Sequence, residues 1–419
     1  MMNDLKNAAI ESQAKQGFVN LQKLAKRTVL SRLAQIENGV LVIEDGTCVT
    51  RFGHTTPRCA LTALVRVHDL SFYSELAFGG SIGAGEAFMH GHWSSDDLTT
   101  VMRILLNNLH VVDSMEHGFA RLALPLRRLL HWASRNNRTG SRRNIAAHYD
   151  LGNEFFRTFL DPTMMYSSAF FQQPAMSLEQ ASIAKLDRIC QRLELKPGDH
   201  LLEIGTGWGS MALHAATHYG CRVTTTTISQ QQYELAQERV HIAGLADRIT
   251  LLLEDYRDLT GTYDKLVSIE MIEAVGHQFY DVYFKKCSDL LKPDGMMLLQ
   301  AITITDQRYA SARDSVDFIQ RYIFPGSCIP SVAVITDAVA RVTNMRLFHL
   351  DDIGFHYATT LKSWRQNMFA HIERVRTLGY SEEFIRQWEF YFCYCEGGFA
   401  EGVLGDVQML FIKPLARPM

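Results

Sequence analysis

The sequence predicts an α/β protein whose larger part is a doubly wound, mostly parallel sheet, preceded by a smaller α+β domain. Three observations predict it. From residue 148 onward, short apolar runs alternate with helical patterns, as expected of parallel strands joined by crossover helices. One run, Leu201-Leu202-Glu203-Ile204, breaks into Gly205-Thr206-Gly207-Trp208-Gly209 and resumes with helix-permissive residues, which reads as strand, tight turn and helix. The length, 419 residues, exceeds what one core usually organises, so two domains are expected.

Taken in order, residues 12–36 interleave Phe18, Leu21, Leu24, Val29, Leu30, Leu33 and Ile36 with five basic residues and no acid. This is a cationic amphipathic helix pattern, suited either to lie on anionic lipid or to pack on its own domain. Short strands are expected at Leu41–Ile43 and Leu64–Val67, with Asp45-Gly46 as a turn. Gly79, Gly80, Gly83 and Gly85 resemble a phosphate cradle, but no Lys-Ser/Thr follows them, so the stretch through His90-Gly91-His92-Trp93 is not read as a P-loop. Asp96–Asn108 reads as a helix capped by Ser94 or Ser95.

Phe119–Ala133 is a second cationic amphipathic segment, interrupted by Pro125, and Ser134–Asn144 holds no apolar residue. The expected division is a domain over 1–134, a basic linker over 135–147 and a second domain over 148–419. In the second domain, helices are expected at Leu178–Leu193, Gln230–Ala243 and Phe279–Leu290. Strands are expected at 200–204, Arg222–Thr227, Ile249–Leu253, Lys265–Ile269, Met296–Ile302, Arg346–Leu350 and Gln408–Ile412.

Composition narrows the function. With 47% hydrophobic and 21% charged residues the chain has ordinary globular content, and a net charge of -3 gives no reason to expect a nucleic-acid partner. Seven arginines and no acid lie between 118 and 147, which serves either solubility or an anionic membrane surface. No run of 18 apolar residues suggests a transmembrane helix, and the first residues lack the apolar core of a signal peptide. The eight cysteines are scattered and Cys393-Tyr394-Cys395 has no second pair, so no metal site is expected and reduced cytoplasmic thiols are the simplest account.

Glu203-x-Gly205-x-Gly207-x-Gly209 is not the dinucleotide spacing G-x-G-x-x-G. It fits the nucleotide loop of S-adenosylmethionine (SAM) methyltransferases, where glycines let the backbone approach a ligand. Further motifs follow in order: His148-Tyr149-Asp150-Leu151-Gly152-Asn153, Met165-Tyr166-Ser167-Ser168, Thr227-Ile228-Ser229 with Gln232, and Asp255-Tyr256-Arg257. After them come Glu270-Met271-Ile272-Glu273-Ala274-Val275-Gly276, Tyr322-Ile323-Phe324-Pro325-Gly326 and Tyr357. Together they resemble the cyclopropane-fatty-acyl-phospholipid synthase family, which includes the mycolic-acid cyclopropane synthases. The likeness runs from about His148 to the C-terminus, with a weaker one over Gly80 to Trp93.

The resemblance implies a seven-stranded, Rossmann-like SAM-methyltransferase domain behind an N-terminal lipid-facing domain. It implies methyl transfer from SAM to the double bond of an unsaturated acyl chain in a membrane phospholipid, then proton loss from the new methyl and ring closure. By motif, Glu203, Gly205 and Gly207 take the methionine side of SAM, Thr227 and Gln232 the ribose, and Tyr256 and Arg257 the adenine side. Tyr166 and Ser167 close over it. In the family a bicarbonate base is held by Cys, Glu, a His-x-Ile pair and Tyr; here those positions read Ser168, Glu273, Gln300, Ile302 and Tyr357. Ser168 and Gln300 depart from the pattern. They leave ring closure against a methyl-branched or methylene product open, with a non-catalytic lipid-binding relative as a third reading. Glu270 is a rival carboxylate taken as structural. Docking on the inner face of the cell membrane and a homodimer are further family expectations.

Overall fold

The computed structural model describes residues 21–116 and 151–418. The expected start of the first helix over 12–20, the segment 119–133, the linker over 135–147 and the motif residues 148–150 lie outside the described residues. The chain forms two units: residues 1–129 with 381–401, and residues 130–380 with 402–419. The return of 381–401 to the first unit is absent from a division made along the sequence.

In the first unit, β1 (Gly39–Asp45) pairs antiparallel with β2 (Cys48–His54) across the turn at Gly46, which holds φ +59°. β3 (Thr62–Val67) runs parallel to β1, and β4 (Trp93–Ser95) antiparallel to β3, giving the order β2-β1-β3-β4. The helix over 21–33 turns Ala25, Val29 and Leu33 inward with Ile36 just beyond it, while Leu21 and Leu24 stay exposed. It therefore packs on its own unit, as an amphipathic stripe of that spacing does. Asp97, rather than Ser94 or Ser95, caps helix Leu98–Leu106, its side chain accepting from Thr100 N at 3.0 Å.

The glycine-rich stretch is no loop. It lies within Ser71–Met89, a helix broken at Gly80 (φ +59°, ψ -140°) so that its second half folds back on its first. A Cβ at Gly83 would stand 2.0 Å from the Glu75 carbonyl oxygen, so only glycine lets the halves touch.

The second unit is a seven-stranded sheet of β5 (His200–Ile204), β6 (Arg222–Thr226), β7 (Ile249–Leu252), β8 (Tyr263–Ile269), β9 (Leu291–Ile304), β10 (Arg346–Asp352) and β11 (Leu404–Ile412). Its order is β10-β11-β9-β8-β5-β6-β7, parallel throughout except at β11, which opposes both neighbours. All the expected strands are present. Alternation assigns the faces: Leu201 joins one buried cluster with Met211, Val223 and Leu298, and Leu202 the other with Leu266, Phe284 and Leu299. Helices form where periodicity predicted them, at Leu178–Arg192, Gln230–Ile242 and Tyr280–Leu290. The first begins with a Ser177/Gln180 capping box. Strand order reverses at β5, whose successors run outward to β7 before the chain returns to β8 on its other side. That switch point puts the loops after β5 and β8 side by side, where open α/β sheets bind ligands. Among the described residues no helix is long and apolar enough to cross a membrane.

Candidate active site

The loop after β5 turns on Gly205 (φ +103°), Gly207 (φ +52°) and Gly209 (φ +88°). A Cβ at Gly207 would meet nothing within 4 Å, so the backbone there faces open space. Beneath the loop, Thr225 on β6 donates to Glu203 Oε2 at 2.6 Å and shares a 2.7 Å hydrogen bond with Thr206. Glu203 is thus buried under the loop, and burial pushes its carboxyl up to about 8. After β6, Thr227 donates to Gln232 Oε1 at 2.9 Å, and Ser229 caps the helix that carries Gln232. After β7, Arg257 holds Asp255 through two hydrogen bonds of 2.8 and 2.7 Å, and the Tyr256 ring packs edge-on against Tyr283. These predicted cofactor residues line up along the carboxyl ends of β5, β6 and β7.

Behind Tyr166-Ser167-Ser168 lies a polar cluster that the motifs only partly announced. Glu270, just beyond the end of β8 with φ +48°, is partly buried. Its Oε1 accepts from Ser168 N and Gln300 Nε2, each at 2.8 Å, and its Oε2 from the Tyr357 hydroxyl at 2.7 Å. Gln300 also donates to Asp406 Oδ2 at 2.9 Å and accepts from Gln408 Nε2 at 3.1 Å. Glu273 Oε1 accepts from Ile302 N at 2.6 Å, and its Oε2 has no hydrogen-bond partner among the described residues.

Of the five predicted base-site residues, Ser168, Gln300 and Tyr357 bond Glu270, while Glu273 bonds Ile302 N. Ser168 uses its backbone N–H here; its hydroxyl donates to Ala169 O at 3.0 Å. A separate bicarbonate ion does not fit these donors as they stand, because the Ser168 N–H, the Gln300 amide and the Tyr357 hydroxyl all end on Glu270.

Electrostatics follow from burial. Glu273 is pushed up to about 8 by desolvation and then by the neighbouring charge of Glu270. Asp406 is raised well above the usual carboxylate range by desolvation, Glu270 and Glu273. Glu270 is raised by desolvation too, but its three donors and Lys185 oppose the shift. Lys185, wholly buried, donates to Ser167 Oγ at 2.8 Å, and burial brings its ammonium down to about 8 against the pull of Glu270, Asp406, Asp161 and Glu203. Glu270, Glu273 and Asp406, so close together, do not all ionise. Glu270, the best hydrogen-bonded, is held lower than Asp406, which burial and its two carboxylate neighbours raise furthest.

Of the aromatic residues, Tyr166, Tyr357 and Phe159 surround Trp364 at 5.2, 5.9 and 6.0 Å between ring centroids, and Phe324 lies 6.3 Å from Tyr166. Phe170 instead packs on His356 and under Arg188.

A glycine loop at the switch point beside an acid–amide cluster narrows the choice of family, and comparison decides it. Residues 136–409 match the family model described as mycolic acid cyclopropane synthetase. The chain belongs to that family. It is 37% identical over 380 residues to the tuberculostearic acid methyltransferase of Mycobacterium tuberculosis, spanning 89% of this chain and 87% of that one. It is equally 37% identical over 356 residues to the cyclopropane-fatty-acyl-phospholipid synthase of Escherichia coli, 83% of this chain and 87% of that one. The cyclopropane synthase MmaA2 of M. tuberculosis superposes with a TM-score of 0.61 at 31% identity, over 65% of this chain and 98% of that structure. Mycolic acid cyclopropane synthase CmaA1, solved with S-adenosylhomocysteine and CTAB, gives 0.59 at 31% identity over the same shares.

The protein is thus a SAM-dependent methyltransferase of this family. The open face at Gly207 and the buried Glu203–Thr225–Thr206 support fit that cofactor. Sequence reasoning missed Lys185, Asp406 and Gln408. Nothing local marks them, since each is an ordinary polar residue in a helix or strand. Glu270 was visible in Glu270-Met271-Ile272-Glu273, but only its fold neighbours show its use.

Proposed function

We propose that this protein methylates the double bond of an unsaturated fatty acyl chain of a membrane phospholipid and closes a cyclopropane ring, with Glu270 as the base. Bound SAM would supply an electrophilic methyl to the alkene, with the electron pair of the broken S–CH3 bond left on sulfur. The alkene π pair forms the new C–C bond and leaves a carbocation on the neighbouring carbon. Glu270 takes a proton from the new methyl, and the electron pair of that C–H bond closes the ring onto the cationic carbon.

One observation carries this reading: Glu270 is a partly buried carboxylate held by Ser168, Gln300 and Tyr357, the positions that the family likeness assigns to an anionic base. A carboxylate raised by burial is a stronger base than one in water, which suits abstraction from carbon. The Tyr166, Tyr357 and Trp364 rings offer π faces to a transient cation. Thr227 and Gln232 orient the ribose, Gly205 and Gly207 admit the methionine moiety, and Tyr256 with Arg257 bounds the adenine. The amphipathic substrate implies docking at the membrane surface.

A second reading, a methylene or methyl-branched product from the same cation, is favoured by the likeness to the tuberculostearic acid methyltransferase. The test is incubation of the protein with SAM and vesicles of monounsaturated phospholipid, followed by mass spectrometry and proton NMR. A gain of one CH2 with upfield ring protons supports cyclopropanation; vinylidene or branched-methyl signals support the second reading. No lipid product overturns both.

A further inference from the structure

The glycine-rich stretch through His90-Gly91-His92, which the methyl-transfer site does not use, is folded into a compact arrangement of its own. The break at Gly80 lays Gly83 directly against the Glu75 backbone, and Gly91 (φ +77°) turns the chain between two histidines. The left-handed φ of Gly91 favours glycine at that turn, over which the Arg386 guanidinium lies. The consequence is that Glu75, His90 and His92 converge, with one donor atom from each all lying within 4.8 Å of one another. His92 Nδ1 is 2.9 Å from Glu75 Oε2, and His90 Nδ1 is 3.9 Å from Glu75 Oε1.

The backbone that presents them is fixed. His90 N donates to Glu86 O, Gly91 N to Phe88 O and His92 N to Ala87 O, while the His92 carbonyl accepts from His68 N and Asp69 N. Trp93 Nε1 is anchored on Ala84 O at 2.9 Å. Glu383, on helix Glu382–Ala400, lies 3.7 Å from His90 Nε2.

We infer that Glu75, His90 and His92 form a binding site for a divalent transition metal of the zinc type. Two imidazoles and a carboxylate are the donors such ions prefer, and three protein ligands leave a fourth position for water or Glu383. The side chains are partly exposed, so the ion has access from solvent. Its role is structural. It ties the two halves of the broken helix to the turn before β4 and, through Glu383, to helix Glu382–Ala400. This site is independent of the methyl-transfer reading.

The test uses the full chain, stripped with chelator, desalted and titrated with Zn2+ against a chromophoric competitor. Wild type is expected to take up an equivalent that Glu75→Gln and His92→Ala lose or weaken by at least about tenfold, as disruption of a metal's ligand sphere does. Circular dichroism checks that the variants fold. His90→Gln, at a half-exposed position, gives a second variant with the same expected loss. X-ray absorption at one equivalent should show nitrogen and oxygen scatterers at about 2.0–2.1 Å. Equal stoichiometry and affinity in wild type and all variants would overturn the site. So would sulfur scatterers at about 2.3 Å, which would place the ion on cysteines.

Discussion

The hydroxyl of Tyr357 donates to Glu270 Oε2 at 2.7 Å, joining a helix that begins at Gly354 to the end of β8. That contact favours the ionised form of Glu270, which burial alone would disfavour. Tyr357→Phe removes the donor and leaves the ring, so the base should become harder to ionise. Hydrogen bonds to charged groups contribute about 1.5–3 kcal/mol, equivalent to roughly one to two pH units. The lower limb of the pH–rate profile is therefore expected to move up by that amount. An unmoved limb would separate Tyr357 from the base.

Gln300 spans two carboxyls with one amide nitrogen, and its oxygen satisfies Gln408. Gln300→Leu keeps the volume but leaves all three groups without its amide. Each unsatisfied buried polar group costs about 1–3 kcal/mol, so the variant should lose on the order of 3 kcal/mol in urea unfolding as well as turnover. Normal stability with lost turnover would assign Gln300 to chemistry alone.

Glu203 predicts a pH signature in stability. Burial raises its carboxyl in the folded chain to about 8, above the ordinary 4.5. Below 4.5 the carboxyl is neutral in both states and carries no penalty. Between 4.5 and 8 the unfolded chain ionises it and the folded chain does not, so stability falls as pH rises through that window. Glu203→Gln removes the titration. Its melting temperature relative to wild type should climb from pH 5 to pH 8 and then level off, and a difference independent of pH would refute the assignment.

The broken helix depends on Gly83. Gly83→Ala would push a methyl to within 2.0 Å of the Glu75 carbonyl oxygen, which cannot swing away as a side chain would. Overpacking of this kind costs about 1–3 kcal/mol. Gly198→Ala, whose Cβ meets nothing within 4 Å, serves as the neutral control. Equal thermal denaturation of the two variants would mean that the helix halves separate freely.

Much of this was legible in the sequence because the signals were local. Leu201 to Gly209 announces a strand and a tight turn in nine residues, and Ser177 with Gln180 marks a helix start by spacing alone. Other features depend on residues far apart. Asp406 comes from β11, Lys185 from the helix before β5 and Ser168 from the segment preceding it, so no window holds the cluster around Glu270. Gly79 to Gly85 gave no firm reading for a related reason. Glycines clustered in a loop and glycines that let two helix halves touch look the same until the fold supplies the second half. The place of helix Glu382–Ala400 in the first unit was not readable, since that depends on contacts with residues nearly 300 positions away, such as Thr99 with Glu396.

The most direct test of the central claim, that Glu270 fills the place of a bound anion, is turnover on monounsaturated phospholipid vesicles in carbon-dioxide-free buffer, with and without added bicarbonate. Wild type is predicted to run at the same rate in both. Glu270→Gly, which removes the carboxylate and suits the φ of +48°, is predicted to be nearly inactive until bicarbonate is restored. A wild-type enzyme that stops without bicarbonate would contradict the account.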